Sequence, residues 1–375
     1  MSKGIPNDKK QRRNKIDYIE IFNQFKKDED FLNLGKLLGK GSFGEVREVT
    51  FKNKIMAAKI VMQEANDKSG EYYASDLKGR NIIKIHKISQ KVINHQNYYL
   101  IIMDKAILKD LGKLSEFYHH HNLLKFIMHF PFDEEAGDNL MRFYAIQIVN
   151  ALETLNRNYM VHFDLKPENL LISLSLIIKL SDFSLLKRIK DDETLKIPGG
   201  TSGYLTMEYY KKEEKVFGRD ARKQDYFALG STLFYLKYGT QMLKYKRFDN
   251  YNSYILTILE KLQYQKSKIQ SSVFTDQDFI DFLLTLVGYS PDERPTFEEI
   301  YRNKWLNKNL KELNETFSIF ESDEEKLIIE LQKNDFLIEK QKQIKKTIQN
   351  KKPSKYHFKT NKKPREYRIN IIHKA

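Results

Sequence analysis

The hydrophobic pattern of this chain changes between residues 103 and 140, and that change limits the fold more than any other feature. Before it, apolar runs of strand length follow one another, and after it apolar residues recur at helical spacing. The predicted strands lie within residues 31–51, 54–61, 81–88 and 97–103, with one short helix at 70–77. The predicted helices lie at 139–158, 225–239, 276–288 and within 290–300. A β-rich first part followed by a mostly helical second part is an α+β fold.

Composition supports a globular protein and excludes several kinds of site. A chain of 375 residues with 41% hydrophobic residues can fill a sizeable core. Because no cysteine occurs, disulfides, thiolate zinc sites and cysteine nucleophiles are excluded. The chain shows neither an apolar signal segment nor a run long enough to cross a membrane. We therefore expect an intracellular protein without a transmembrane segment, in the cytoplasm or alternatively in the nucleus.

The positive charge is concentrated at the two ends of the chain. Of a formal net charge of +15, residues 1–16 contribute six Lys/Arg against one Asp, and residues 351–375 contribute nine against one Glu. Such ends suit a polyanion, for example nucleic acid or an anionic lipid surface, or an acidic protein partner. The simpler interpretation is a pair of solvated termini, because a low apolar content produces the same pattern.

A glycine-rich stretch, GKGSFGEV at residues 39–46, lies between two predicted strands. Its glycines, Gly39, Gly41 and Gly44, allow a hairpin backbone to approach phosphate oxygens closely, although such a stretch alone is more typical of an ordinary turn. Fifteen residues later, Lys59 lies within an apolar strand. A lysine in that position needs an anionic partner, such as a phosphate or a glutamate.

Two acidic motifs follow in the second part, VHFDLKPENLL at 161–171 and IKLSDFS at 178–184. Asp164 is suited to accept the proton of a hydroxyl nucleophile, and Lys166 to neutralise charge on a phosphoryl group. Asn169 and Asp182 supply the oxygen atoms that a hard cation prefers. Taken singly, Asp164 and Asp182 would be ordinary loop or cap residues. The glycine-rich stretch, the strand lysine and the two acidic motifs, in this order, predict phosphoryl transfer.

This order of motifs resembles that of eukaryotic protein kinases of the serine/threonine type over residues 31–306. The resemblance includes MAAK at 56–59, HFDLKPEN at 162–169, DFS at 182–184, GTSGYLTME at 200–208, DYFALG at 225–230 and PDERPTFEEI at 291–300. It implies a bilobal fold with a small β-rich N-lobe at 31–103, a hinge at 104–107 and a larger, mostly helical C-lobe at 108–306. It also implies ATP, Mg²⁺ with Mn²⁺ as an alternative cation, and a protein substrate that offers a serine or threonine hydroxyl.

The resemblance assigns roles to particular residues. Asp164 and Lys166 would be catalytic, and Asn169 and Asp182 would bind the metal. The implied ATP-binding residues are Gly39, Gly41, Gly44, Val46, Ala57, Lys59, Met103, Asp104 and Ala106. The implied structural roles are a buried ion pair of Glu208 with Arg294, a brace of the catalytic loop by Asp225, and a hydrogen bond from Thr201 to the catalytic residues.

The chain departs from the family pattern at three functional positions. The expected partner of Lys59 is Glu71, with Glu64 as the second candidate, although alignment on the neighbouring residues places Gly70 there. Ser184 replaces the glycine of DFG, which removes the conformational freedom of glycine. Phe163 replaces an arginine that binds a phosphorylated activation segment in many family members. Either activity is independent of that phosphate, or Phe163 simply packs and regulation is achieved otherwise.

Outside residues 31–306, the sequence predicts a basic extension at 1–30, a charged helical extension at 307–349 and a basic, disordered tail at 350–375. The main functional hypothesis is an ATP-dependent serine/threonine protein kinase. The alternative is a pseudokinase that keeps the fold as a scaffold or regulatory binding module, since Ser184 and the uncertain partner of Lys59 leave room for it.

Overall fold

A computed structural model of the chain forms two compact units, residues 1–324 and 325–375, and every residue described below belongs to the first. The described residues are 17–26, 31–41, 44–63, 70–106, 110–113, 115, 134–173, 176–211, 215–243, 248, 250–268, 276–308 and 310–311. The basic residues 1–16, the predicted tail at 350–375 and nearly all of the predicted helical extension lie outside this set.

The first part is a five-stranded antiparallel sheet in the order β1-β2-β3-β5-β4. Its strands are β1 (Phe31–Gly41), β2 (Gly44–Phe51), β3 (Lys54–Gln63), β4 (Ile85–Ile93) and β5 (Gln96–Met103). The register sets Val46 opposite Lys59, and Ala57 opposite Met103. The predicted β-rich N-lobe is therefore confirmed, and its pairing brings the predicted ATP-binding residues onto adjacent strands.

Two predicted elements of this part have wrong bounds. The helix predicted at 70–77 is α2 (Gly70–Ala74). The strand predicted at 81–88 begins only at Ile85, because Asn81 donates to Gln147 Oε1 and to the Ile178 carbonyl, both 3.0 Å away. These bonds attach residue 81 to the second part of the molecule. The run at 81–88 therefore contacts the second part at its start and joins the sheet only from Ile85 onward.

A helix that the sequence interpretation missed, α1 (Tyr18–Lys26), lies within the predicted basic extension. Asp17 caps it by accepting hydrogen bonds from the backbone N–H groups of residues 19 and 20. Its Ile21, Phe22 and Phe25 are buried against one face of the sheet. That face is formed by Val49, Phe51, Met56, Ala58, Ile60, Tyr98, Leu100 and Ile102. Because the other face joins the main core, β5 is apolar on both sides.

The second part is mostly helical, as predicted. Its helices are α3 (Glu134–Arg157), α4 (Met207–Tyr210), α5 (Gly218–Tyr238), α6 (Tyr251–Lys268), α7 (Gln277–Leu286), α8 (Phe297–Tyr301) and α9 (Lys304–Asn307). Helices α3 and α5 begin several residues before their predicted starts. Side-chain caps mark three of the helix starts: Asp276 accepts from Asp278 N before α7, Thr296 forms a capping box before α8, and Asn303 accepts from Trp305 N before α9.

Short paired strands connect these helices and shape the loops between them. They are β6 (Met160–Val161) with β9 (Lys187–Arg188), β7 (Leu170–Ile172) with β8 (Ile178–Leu180), and β10 (Thr194–Leu195) with β11 (Val216–Phe217). The predicted ion pair of Glu208 with Arg294 is confirmed, and both side chains are buried. Among the helices that the structure describes, none has the length and apolar character needed to cross a bilayer.

Candidate active site

The loop that follows β6 is held by hydrogen bonds to a side chain of α5. Asp225 accepts hydrogen bonds from the backbone N–H groups of His162, at 2.7 Å, and Phe163, at 3.0 Å. Burial raises the pKa of Asp225 to about 6, although the His162 ring and these two N–H groups act in the opposite direction. The predicted brace is thus confirmed as a contact. Phe163 itself has a φ of 64°, a left-handed conformation that is costly for an aromatic residue and that the two bonds help to hold.

His162 is a buried residue of this loop that the sequence interpretation overlooked. Its Nδ1 accepts from the Asp164 N–H at 3.2 Å, so the neutral ring carries its hydrogen on Nε2 and donates to the Ser181 carbonyl, 3.0 Å away. The ring therefore ties the loop that carries Asp164 to the residue that precedes Asp182. The signal in the sequence was a polar residue inside the apolar frame VHFDLKPENLL.

Three donors surround the carboxylate of Asp164. Thr201 Oγ1 donates to Oδ1 at 2.7 Å, while Lys166 Nζ and Asn169 Nδ2 donate to Oδ2 at 2.8 and 3.0 Å. Lys166 Nζ also lies 2.6 Å from Thr201 Oγ1, so the three side chains form one network. An ionised carboxylate offers about four acceptor positions, which leaves one on Oδ1 for a further hydroxyl donor.

A second group of charged side chains joins the two parts of the molecule, and we call Lys59, Glu71, Asp182 and Ser184 the ionic cluster. Lys59 Nζ lies 2.5 Å from Glu71 Oε1, 2.6 Å from Asp182 Oδ1 and 2.6 Å from Ser184 Oγ. Burial alone would lower the pKa of Lys59, but the two carboxylates outweigh it and raise that pKa above its ordinary value. Lys59 is consequently a permanent ammonium group.

Close packing explains why Glu71, and not residue 70, reaches Lys59. A Cβ at Gly70 would lie 1.9 Å from the Phe183 carbonyl oxygen, so only glycine fits at the start of α2. The next residue, Glu71, is 1% exposed and points at Lys59. Spacing in the sequence did not distinguish these positions, because the contact with Phe183 is long-range. The other candidate, Glu64, lies outside the described residues.

Asn169 and Asp182 present oxygen atoms suited to a hard cation. Asn169 Nδ2 uses its two hydrogens on Asp164 O and Oδ2, which leaves the amide oxygen as the group for a cation. Burial alone would raise the pKa of Asp182, but Lys59 and the hydrogen bond from Ser184 hold it below the ordinary value, so the carboxylate is ionised. Among the described residues, no group of three or more His, Asp or Glu side chains is placed to hold a metal ion. Mg²⁺ is usually bound by one or two carboxylates together with substrate phosphates.

Most of the predicted ATP-binding residues lie on strands β1, β2, β3 and β5 of one sheet. Gly44 has a φ of 153°, and a Cβ there would lie 1.8 Å from the Ile60 carbonyl, whereas Gly39 and Gly41 have no atoms within 4 Å of that position. Gly44 therefore serves the close approach of β2 to β3, whereas the space beside Gly39 and Gly41 is open. Val46, Ala57 and Met103 pack in the main core at the sheet surface.

The hinge residues after β5 have a distinct arrangement. The Asp104 N–H donates to the Lys84 carbonyl at 3.0 Å, and its carboxylate lies 2.5 Å from His86 Nε2. The N–H and the carboxylate of Asp104 therefore both have partners within the protein. Asp104 directly follows Met103, which pairs with Ala57 of β3, and Ile107 lies outside the described part of the chain.

Phe163 is 2% exposed and belongs to what we call the apolar cluster. The members of this cluster are Val161, Phe163, Ile189, Val216 and Ala221, with the partly buried Leu185, Leu195 and Ile197 packed against them. Four of these residues, at 185, 189, 195 and 197, come from the segment between Asp182 and Glu208. An apolar side chain in this position therefore anchors that segment by packing.

Comparison with known proteins agrees with this geometry. Residues 32–306 match the family described as "Protein kinase domain". The chain is 29% identical over 286 residues to an Aurora kinase of Saccharomyces cerevisiae, covering 75% of this chain and 70% of the relative. It is 28% identical over 298 residues to CBL-interacting serine/threonine-protein kinase 14 of Arabidopsis thaliana, covering 77% and 61%.

A third relative, the serine/threonine-protein kinase MRCK beta of Rattus norvegicus, is 27% identical over 238 residues, which are 60% of this chain but only 13% of the relative. The shared region is thus a kinase domain inside a much longer protein. The five-stranded sheet, the helical second part and the match over residues 32–306 lead to one conclusion. The chain belongs to the protein kinase family, among relatives of the serine/threonine type.

Proposed function

We propose that this chain transfers the γ-phosphoryl group of ATP to serine or threonine hydroxyl groups of a protein substrate. The observation that carries the proposal is the network around Asp164, whose carboxylate is fixed by three donors and has one acceptor position left on Oδ1. A substrate hydroxyl that donates to the remaining position of Oδ1 is oriented for attack and loses its proton to Asp164.

The neighbouring side chains assist the same step. Lys166 Nζ is 2.8 Å from Asp164 Oδ2, so its positive charge lies beside the carboxylate that receives the proton on Oδ1 and can neutralise charge on the phosphoryl group in transit. Thr201 Oγ1 bridges Lys166 and Asp164 and prevents rotation of the carboxylate. Lys59 supplies a second fixed positive charge for the phosphates that remain on the nucleotide.

Asn169 and Asp182 would hold Mg²⁺, or Mn²⁺ in its place. When bound, this cation neutralises negative charge on the phosphates and fixes their orientation. The fit rests on the ionised Asp182 carboxylate and the free amide oxygen of Asn169, both hard oxygen ligands. Replacing Asp182 with Asn should abolish Mg²⁺-supported transfer, and an unchanged Mg²⁺ dependence would remove Asp182 from the metal site.

The proposal is tested with the purified chain, Mg²⁺, labelled ATP and a generic basic protein, compared with Asp164→Asn. The variant keeps the size of the side chain but cannot accept the proton, so incorporation should fall by at least about a hundredfold. Asp281→Asn, an exposed position on α7, is the matched control and should transfer as the wild type does. Equal incorporation by the wild type and Asp164→Asn would leave the pseudokinase alternative, which no contact in the described residues favours.

The partners of the basic ends stay predictions, as does a cytoplasmic or nuclear location. A polyanion bound by residues 1–16 or 351–375 should dissociate steeply as salt concentration rises, since its affinity would come from released counterions. Binding of heparin to the full chain at increasing salt measures this. A salt-independent affinity would argue against simple electrostatic attraction.

A further inference from the structure

The ionic cluster contains one group that family membership does not explain, the hydroxyl of Ser184. The family motif has glycine at this position, and glycine offers no side chain to such a cluster. Ser184 Oγ lies 2.6 Å from Lys59 Nζ, 2.6 Å from Asp182 Oδ1 and 3.2 Å from Glu71 Oε1. The hydroxyl therefore contacts every charged member of the ionic cluster.

Donor and acceptor capacities determine how these contacts are used. An ammonium group has three hydrogens, and those of Lys59 are taken by Glu71 Oε1, Asp182 Oδ1 and Ser184 Oγ. Because Ser184 Oγ accepts from Lys59, its single hydrogen goes to a carboxylate, and the contact with Asp182 is shorter than that with Glu71. Asp182 Oδ1 thus receives two donors, while neither of them uses Oδ2.

The backbone shows that serine is well accommodated here. Asp182 has a φ of 61°, whereas Ser184 is not among the described non-glycine residues with positive φ. The conformational freedom of glycine, whose loss the sequence suggested would matter, is therefore not used at residue 184 in this conformation. The hydroxyl instead bonds to the carboxylate two residues earlier and so supports Asp182 in its left-handed conformation.

We propose that Ser184 is a positioning residue for the divalent cation: its hydroxyl holds Asp182 Oδ1 against Lys59 and so presents Oδ2 to the cation. The inference rests on the proposed kinase function. The Asp182 side chain keeps 36% exposure while Lys59 and Glu71 keep only 7% and 2%, so the carboxylate is the member of the cluster that faces the open site. One oxygen atom of Asp182 is fixed by the protein, and the other is left for the ligand.

The competing explanation is that Ser184 only fills space, in which case its Cβ matters and its hydroxyl does not. Three substitutions separate the two. Ser184→Ala keeps the Cβ and removes the hydroxyl, Ser184→Thr keeps both, and Ser184→Gly restores the family residue. The matched control is Ser231→Ala, which removes a buried hydroxyl from α5, away from the site.

The experiment measures Mn²⁺ binding to the full chain in the presence of a non-hydrolysable ATP analogue, by the electron paramagnetic resonance signal of free Mn²⁺. Loss of one hydrogen bond to a charged group should raise the Kd of Mn²⁺ about tenfold in Ser184→Ala and at least as much in Ser184→Gly. Ser184→Thr and Ser231→Ala should remain within about twofold of the wild type. The Kd of the analogue without metal should change less than about twofold in all of them.

Kinetics supply a second readout. The Mg²⁺ concentration that gives half-maximal transfer should rise about tenfold in Ser184→Ala, while the KM for a peptide substrate stays unchanged. Mn²⁺ binding by Ser184→Ala equal to that of a wild type that still transfers phosphate would overturn the role of Ser184 and leave the proposed function standing.

Two further outcomes also oppose the proposal. Equal weakening in Ser184→Thr and Ser184→Ala would assign the effect to shape and not to the hydroxyl. A wild type that binds no Mn²⁺ with the analogue would overturn this inference and the proposed function together. Thermal melting checks that each variant is folded, and if Ser184→Ala is not, the comparison of Ser184→Gly with Ser184→Thr decides the matter.

Discussion

The segment that starts at Asp182 is held in two places by different forces. At its start the ionic cluster holds it through charges and hydrogen bonds, and further along the apolar cluster holds it through packing around Phe163. The three hydrogens of Lys59 are already in use, so a phosphate that approaches Lys59 must replace one of its present partners. Lys59 can thus exchange a hydrogen-bond partner in the ionic cluster for a phosphate when nucleotide binds. The apolar cluster has no such polar contacts, so its packing holds the segment in the same place with or without nucleotide.

The largest effect is expected from removing the centre of the ionic cluster. Lys59→Met should reduce transfer by at least about a hundredfold, because the fixed positive charge for the phosphates that remain on the nucleotide is then lost. Phosphate incorporation measures the loss, and circular dichroism checks that the fold persists. Lys54→Met, an exposed position at the start of the same strand, is the control and should be active. Transfer by Lys59→Met within about twofold of the wild type would show that the assignment of Lys59 is wrong.

Breaking the apolar cluster should act first on stability. Phe163→Ala removes a buried aromatic ring and should lower the free energy of unfolding by about 3–5 kcal/mol, measured by urea denaturation. Phe163→Leu, which keeps most of the volume, should cost less than about 1.5 kcal/mol. A loss below about 1 kcal/mol in Phe163→Ala would mean that packing around Phe163 does not anchor the segment.

A smaller effect is expected from phosphate on the same segment. Phe163 offers no charge to a phosphate group, and packing already holds residues 195 and 197, so phosphatase-treated protein should be active. Thr194→Ala, at an exposed hydroxyl of β10, should change turnover by less than about twofold. Mass spectrometry verifies the absence of phosphate. A large fall in both preparations would indicate another basic pocket, for which Lys187, Arg188, Lys190 and Lys196 lie in the same segment.

The smallest effect is expected outside both clusters. Deleting residues 351–375 should leave transfer to a short peptide within about twofold of the full chain, because those residues follow the last matched motif. The rate of peptide phosphorylation measures this, with an unrelated basic protein substrate as the comparison. A strong fall in the rate of peptide phosphorylation would show that the tail is needed for catalysis by residues 32–306.

How far the sequence predicted the site depends on the range of the contacts. Asp164, Lys166 and Asn169 lie in one short motif, so their closeness follows from spacing, and the structure brings them together. The choice between Gly70 and Glu71 rested on contact with Phe183, more than a hundred residues away, which no local pattern reports. For the same reason Ser184 was noted only as a departure from glycine, while its contacts with Lys59, Asp182 and Glu71 were not predicted.

The fold shows the same division. Strand β5 and helix α3 were evident because their apolar periodicity is local. The start of β4 was misplaced because Asn81 bonds to the second part of the molecule instead of to the sheet. Helix α1 was missed although Ile21, Phe22 and Phe25 have helical spacing, because the helix has only nine residues and follows a strongly basic stretch that is typical of a solvated terminus.

Helix α1 has a practical consequence for anyone who isolates the catalytic part of this protein. The family match begins at residue 32, yet the apolar sheet face that contains Val49, Ala58 and Leu100 is covered by residues 18–26. A truncated protein that started at the family boundary would expose that face to water and offer it to other molecules, which favours aggregation during expression. The smallest fragment that should stay in solution therefore begins before Tyr18, N-terminal to the first residue of the family match.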